Sequence, residues 1–416
     1  MCSRMSWPAG LALLLANMAL AAELGLTSPP ATVEPPVPVK ATEPGAVDQD
    51  LGELEYVRIL SPAEPGRNDS NPVWSSTGNL IAFERSRGDK REIVVARIDG
   101  KQIQKIYFQL SEDTNPEPAD AKETSKETKV QALFIPGFSE DPSFNSGVSW
   151  GRDSRRVAFM SNGGEGNYDI YSQELGGNAQ RLTNHREKDG LAQWSPVSDQ
   201  LVFVSGRTGK GDAYLLDAKT RALTQLTQGD KPYLYPRWSP DGKKLALFYG
   251  SSENHDVYVM DNLAKPVESL RALTSWNFDD LRPAWSPDGK KIAFYTNYNL
   301  AGDPNAWSLA VVAADGSDGT SSEALAKRIV ATDVLPDVEQ GPAWLAGSDG
   351  LIYVKDEKLE YNPIYMVDLN SGKSVQLKTG TKMNHDIACA ADGLLAFRAQ
   401  VDQWDQIFVA KLKNRK

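Results

Sequence analysis

Apolar residues along this chain do not recur with a helical period. They come in short alternating or continuous runs separated by Gly, Pro, Asn and Asp, a pattern that predicts strands. One phrase returns throughout, clearest as WSPDGKKLALF at 238–248 and WSPDGKKIAFY at 285–295. Its aromatic position falls at Trp74, Trp150, Trp194, Trp238, Trp285 and Trp344, and a degenerate seventh copy has Cys389 there. In the first six copies an apolar triplet begins seven residues later, at Ile81, Val157, Leu201, Leu245, Ile292 and Leu351. In the seventh the turn is one residue shorter, and Leu395 opens the triplet.

Each copy reads as four strands. The Trp strand ends in a Ser-Pro-Asp-Gly turn, where Pro presets φ and Gly supplies a positive one, so the chain reverses cheaply into the apolar triplet. A third strand follows, as in Asp169-Ile-Tyr, Asp212-Ala-Tyr and Asp256-Val-Tyr, and the fourth closes on Leu-Thr at 182–183, 226–227 and 273–274. Trp-to-Trp distances of 44, 44 and 47 residues through the middle of the chain match the period of about 40 to 45 of four-stranded propeller blades. The gaps of 76 after Trp74 and 59 after Trp285 mark units with insertions. The expectation is an all-β fold, a seven-bladed β-propeller of four-stranded antiparallel blades. Six blades is the alternative if the degenerate last copy forms none. That copy runs out of chain after its third strand, while YVRILS at 56–61 stands orphaned before the first Trp. The N-terminal strand is therefore expected to complete the last blade and leave no open edge.

The pattern W-S-P-D-G, I-A-F, D-I-Y-V-M-D, R-x-L-T resembles the TolB-type, WD-repeat-like β-propellers over residues 54–413. The resemblance implies the fold. It is less specific for function, because the same blades occur in prolyl-oligopeptidase-like enzymes and in oligogalacturonate lyases. The family's namesake is a periplasmic partner of envelope proteins, including the peptidoglycan-associated lipoprotein. It carries an N-terminal α/β domain ahead of its propeller, where this chain has a tether, so the expectation is a relative rather than that protein.

Composition adds location. Residues 1–22 read as a signal peptide, with Arg4 ahead of the apolar stretch GLALLLANMALA and an Ala19-Leu20-Ala21 cleavage pattern. Export to the periplasm or beyond is expected, with membrane attachment only if this segment stays uncleaved. Residues 23–53 form a Pro-rich disordered tether, and the propeller occupies 54–416 with a polar insertion at about 111–146. Around that insertion, KIYFQL at 105–110 and VQALFI at 130–135 compete for the first unit's fourth strand. The net charge of −10 makes nucleic acid an unfavoured partner. Cys389, alone in the expected mature chain, reads as a buried apolar side chain rather than a reactive thiol.

Loops joining second to third strands, and fourth strands to the next unit, share one face of such a ring. They are the variable ones here, including 84–92, 161–169, 249–256 and 295–307, and binding is expected there. Five residues before each Trp position stand Asp69, Asn145, Asp189, Tyr233, Asp280, Glu339 and Asn384. Repeat symmetry makes them a ring near the channel mouth, able to attract a basic peptide or a divalent cation such as calcium; the competing reading is plain turn chemistry. Trp276, Trp307 and Trp404 are candidate contact aromatics for a protein partner, or inter-blade packing. His185, His255 and His385 fall in loops of the same face and are alternative metal candidates. A hydrolase domain has no α/β segment left in which to fold. The expectation is a noncatalytic, monomeric module without a cofactor that binds an envelope or secreted protein. The alternative is a carbohydrate-active or metal-dependent, lyase-like enzyme with its site at the channel mouth.

Overall fold

The computed structural model describes residues 53–413 except 62–63, 89, 99–101, 107–144, 164–166, 252–253, 299–305, 338 and 358–360. The expected signal peptide, almost all of the tether, VQALFI and nearly all of the polar insertion lie outside the described residues. After β1 (Leu54–Ile59), the first unit is β2 (Arg67–Trp74), β3 (Leu80–Arg87), β4 (Lys90–Arg97) and β5 (Gln102–Ile106). The second is β6 (Asn145–Trp150), β7 (Arg156–Ser161), β8 (Asp169–Glu174) and β9 (Ala179–Arg181). The third is β10 (Asp189–Trp194), β11 (Gln200–Ser205), β12 (Asp212–Asp217) and β13 (Leu223–Gln225). The fourth is β14 (Tyr233–Trp238), β15 (Leu245–Ser251), β16 (Asn254–Met260) and β17 (Leu270–Ala272). The fifth is β18 (Asp280–Trp285), β19 (Lys291–Thr296), β20 (Trp307–Ala313) and β21 (Ile329–Leu335), with the helix α1 (Ser322–Ala326) before its last strand. The sixth is β22 (Ala343–Trp344), β23 (Gly350–Lys355), β24 (Ile364–Asp368) and β25 (Ser374–Leu377), and the last copy gives β26 (Lys382–Cys389), β27 (Leu394–Val401) and β28 (Trp404–Leu412).

Strands pair antiparallel, in order within each unit. The fifth and sixth units are joined through Leu335 opposite Val354, so the sheets are five of four strands and one of eight. β1 lies against β28, with Tyr56 opposite Lys411 and Ile59 opposite Phe408, and supplies the fourth strand of the last unit. The core sits between neighbouring sheets. Phe203 and Leu201 of the third unit pack on Ala158 and Met160 of the second, and Ile81 and Phe83 of the first pack on Leu394, Ala396 and Val409 of the last. The first and last described units are therefore neighbours.

The repeated phrase has a local explanation. Trp238 stands opposite Leu245 across its hairpin, as Trp74 does opposite Ile81 and Cys389 opposite Leu395, so the seven-residue offset is the hairpin register. In the turn Gly242 takes φ +67° and donates its N–H to the Ser239 carbonyl at 2.9 Å; Ser239 Oγ donates to Asp241 at 2.6 Å. The Trp itself joins units. The indole N–H of Trp150 donates to the Val73 carbonyl, Trp238 to Gln193, Trp285 to Arg237, Trp344 to Ala284 and Trp74 to Ala388, all at 3.0–3.2 Å. Each acceptor immediately precedes the Trp position of the preceding unit. Trp194 departs from this, with the Arg156 guanidinium 4.4 Å over its ring.

The Asp-x-Tyr and Leu-Thr motifs are two halves of one clip. Thr183, Thr227 and Thr274 accept the N–H of Ile170, Ala213 and Val257 at 2.8–2.9 Å. Their hydroxyls in turn reach Asp169, Asp212 and Asp256 at 2.9–3.3 Å. Leu-Thr therefore lies just past the end of the short fourth strand rather than in it. Of the two candidates for the first unit's fourth strand, Gln102–Ile106 overlaps the start of KIYFQL. Two segments expected as loops, 84–92 and 249–256, are mostly strand, because β3, β4, β15 and β16 extend almost to their hairpin tips. Helix α1, capped by Ser321, went unanticipated because five residues are too few to show a period.

Candidate functional site

The seven Trp-strands carry a feature at the same place in every copy. Three residues before the Trp position, Asn71, Gly147, Leu191, Tyr235, Arg282, Gly341 and Asp386 all have positive φ, between 49° and 82°. Pairing skips there in six of the copies, for example between Leu234 and Arg237 and between Leu281 and Ala284, so each of these six is a β-bulge; Gly341 lies just ahead of the two-residue β22. Proline follows directly at Pro72, Pro236, Pro283 and Pro342, and at the first three a bulge spares the ladder the missing donor. Neighbouring positions touch. The Asn71 N–H donates to Asp386 at 3.2 Å, the Arg282 guanidinium carbon lies 3.3 Å from the centre of the Tyr235 ring, and a Cβ at Gly341 would meet the Arg282 carbonyl at 2.8 Å. Gly341→Ala, with φ +82°, is expected to lower the unfolding free energy by about 1–3 kcal/mol, measured by denaturant titration.

Three of these positions, Gly147, Leu191 and Tyr235, border a cavity of about 440 Å³ bounded by Trp-strands of several units, with Arg237, Glu84, Glu339 and Gln340 also in its wall. Glu84, 1 % exposed, accepts the Gly147 N–H at 3.0 Å and Ser146 Oγ at 2.8 Å and pairs with Arg91 at 2.9 Å. It thus satisfies a donor that the bulge frees from the ladder. Burial, and then the Glu84 charge, hold Glu339 above the carboxylate range. Burial, and then Asp386, do the same to Asp337. Burial and mutual repulsion lower Arg237, and burial lowers Arg282.

The residues five before each Trp are placed otherwise than a mouth ring requires. Asp69, Asp189, Asp280 and Asn384 are 0 % exposed and belong to the framework. Asp69 takes a two-pronged contact from Arg85 at 2.8 and 2.9 Å, and Asp189 pairs with Arg207 at 3.1 Å. Asn384 donates to the Asn362 carbonyl at 2.7 Å and accepts from Thr381. Asp280 has no arginine, and burial raises its pKa well above the usual value. Tyr233, 8 % exposed, stacks 4.4 Å from Tyr249. Asn145 opens β6. Of the seven, Glu339 lines the cavity. The physical reason is the bulge: it reverses the alternation between this position and the Trp, so strand counting along the repeat lands on an inter-sheet site.

Two of the candidate aromatics, Trp276 and Trp307, pack against the core. Trp276 is 8 % exposed in the core of the fourth and fifth units; Trp307 and Trp404 open β20 and β28, both partly buried. The three histidines are engaged separately. His185 Nδ1 accepts the Glu187 N–H at 3.1 Å, and His255 Nδ1 lies 2.7 Å from Asp279, itself bound to Asn297. Among the described residues no three His, Cys, Asp or Glu side chains group as metal ligands. Burial, with Arg398 opposite, pushes His385 down to about 4. The folded chain keeps this imidazole neutral while the unfolded chain protonates below about 6.5. Its contribution is therefore complete above that pH and lost as pH falls through 4. A His385→Gln protein should lose less melting temperature than the wild type between pH 7 and 4.5; equal losses would refute this.

One pattern passed over in the sequence is Gly147-Val-Ser-Trp-Gly151, which has the spelling of a hydrolase nucleophile elbow. It lies in and just beyond β6 rather than on a strand-to-helix turn, and Ser149 Oγ accepts the Trp194 N–H at 2.9 Å, a framework role. Cys389, partly buried, has its thiol pushed up to about 12 by burial.

Bulged inner strands, indole links between sheets and four-stranded antiparallel units define a β-propeller. Residues 135–329, a little under half of the chain, match the family model of the TolB β-propeller domain, which supports a propeller of the TolB type. No curated protein matches the chain. An oligogalacturonate lyase from Vibrio parahaemolyticus is similar at 11 % identity and TM-score 0.58, over 86 % of this chain and 94 % of that one. An oligogalacturonate lyase in complex with manganese gives 11 %, 0.57, 86 % and 93 %. TolB from Acinetobacter baumannii gives 16 %, 0.48, 79 % and 67 %. At 11 % identity the two lyase likenesses bear on the fold alone.

Proposed function

We propose that this is an exported, noncatalytic, seven-bladed propeller that binds a protein partner in the periplasm or cell envelope through its variable loop face. β1 closes the ring in this reading, and no cofactor takes part. The observation that carries it is a set of partly exposed aromatics on that face: Phe278 and Tyr298, 5.0 Å apart edge to face, and Tyr249, against Tyr233 and Tyr258. Such rings on a rigid frame suit a protein anchor. The metal-dependent enzyme reading gains little from separately engaged histidines. Capture from an envelope fraction tests the proposal. The wild-type protein should retain a specific partner that a Phe278→Ser/Tyr298→Ser protein of unchanged melting temperature releases; retention by both, or by neither, would sink it.

A further inference from the structure

We propose that the cavity bordered by the Trp-strands holds a carboxylate ligand on Arg237, with Arg282, stacked on Tyr235 beside it, adding positive charge. Elsewhere buried and half-buried arginines face a carboxylate: Arg85 faces Asp69, Arg91 faces Glu84, Arg207 faces Asp189, and Arg398 faces Asp386 and Asp405 at 2.7 and 3.0 Å. The pattern breaks on β14 and β18. Arg282 is 7 % exposed, and its Nε and Nη1 have no hydrogen-bond partner among the described residues. Arg237 donates to a neutral acceptor, the Glu339 carbonyl, at 3.0 Å. Both guanidinium carbons lie over one ring, that of Tyr235, at 3.3 and 5.5 Å. Two cations beside one aromatic ring repel; Glu339 and Asp337 act on both electrostatically, but neither carboxylate is hydrogen-bonded to Arg282 Nε or Nη1, and a buried charge left without such a partner is costly.

A bound anion would relieve that cost. Arg237 and Tyr235 wall the cavity of about 440 Å³, and a space of this size takes a small acid or a chain terminus. The planar fork of a guanidinium fits a carboxylate two-pronged. Glu84 in the same wall opposes a ligand of higher negative charge, such as phosphate. The inference concerns the cavity and stands apart from partner binding by the loop face.

Titration calorimetry and melting curves of the exported protein test it, with glutarate, acetyl-trialanine, acetyl-trialanine amide and inorganic phosphate as probes. Glutarate or acetyl-trialanine should bind and raise the melting temperature, the stronger of the two showing whether a free acid or a chain terminus is preferred. The amide and phosphate should not bind. Arg282→Gln and Arg237→Gln should each weaken carboxylate binding roughly 10- to 100-fold. Ligand-free R282Q should melt no lower than the wild type, since it sheds a buried cation whose Nε and Nη1 have no hydrogen-bond partner. The proposal is overturned if neither carboxylate binds, if phosphate binds as tightly, or if both variants bind as the wild type does.

Discussion

Replacing Asp69 with alanine should lower the unfolding free energy by about 3–5 kcal/mol, the usual cost of breaking a buried ion pair from one side. Asp69 is 0 % exposed and the Arg85 side chain 7 %, and their two-pronged contact is 2.8 and 2.9 Å long. Arg67, 3.6 Å from the same carboxylate, keeps Glu64 at 2.7 Å, but Arg85 would keep no comparable partner in that place. The control is Asp69→Leu combined with Arg85→Met, which removes both charges and should recover most of the loss. Denaturant titration of the three proteins decides the matter. If the single variant costs no more than an ordinary surface change, the pair is not a structural lock.

Trp238→Ala should cost a similar amount, about 3–5 kcal/mol. The side chain is 8 % exposed between the third and fourth units, beside Val202, Leu245 and Leu247. Trp238→Phe separates packing from bonding. It keeps most of the ring but leaves the Gln193 carbonyl without its indole donor at 3.2 Å, and should cost about 1–3 kcal/mol. An unchanged denaturation midpoint for Trp238→Phe would show that the link between units contributes nothing. The last unit, where Cys389 replaces the indole, has its thiol directed at the Ala390 carbonyl at 3.6 Å, so that link is absent there.

Much of this was legible in the repeat. The Trp offset gave the hairpin register, and the orphan YVRILS gave the strand beside β28. Both are local consequences of where apolar residues must face. The Thr of Leu-Thr and the Asp of Asp-x-Tyr were visible as motifs, but their bond across the third and fourth strands was not. The candidate ring was the least legible part. Asp69 and Asp189 read as loop-end acids, yet each is sealed against an arginine, because nothing in a run of letters marks the extra residue of a bulge.

By itself the sequence determined the all-β class, the strand pairs within each repeat and the pairing of the N-terminal strand with the last one. These follow from short-range rules: side-chain alternation, turn chemistry and a constant spacing. Only the tertiary structure decided which side chains meet between neighbouring units. The bulge three residues before the Trp position in six of the copies rotates the strand, bringing Tyr235 against Arg282 from adjacent units and withdrawing Asp69, Asp189 and Asp280 into the framework. Which charges find partners depends on contacts between repeats that lie far apart in the chain, and those exist only once the sheets have packed.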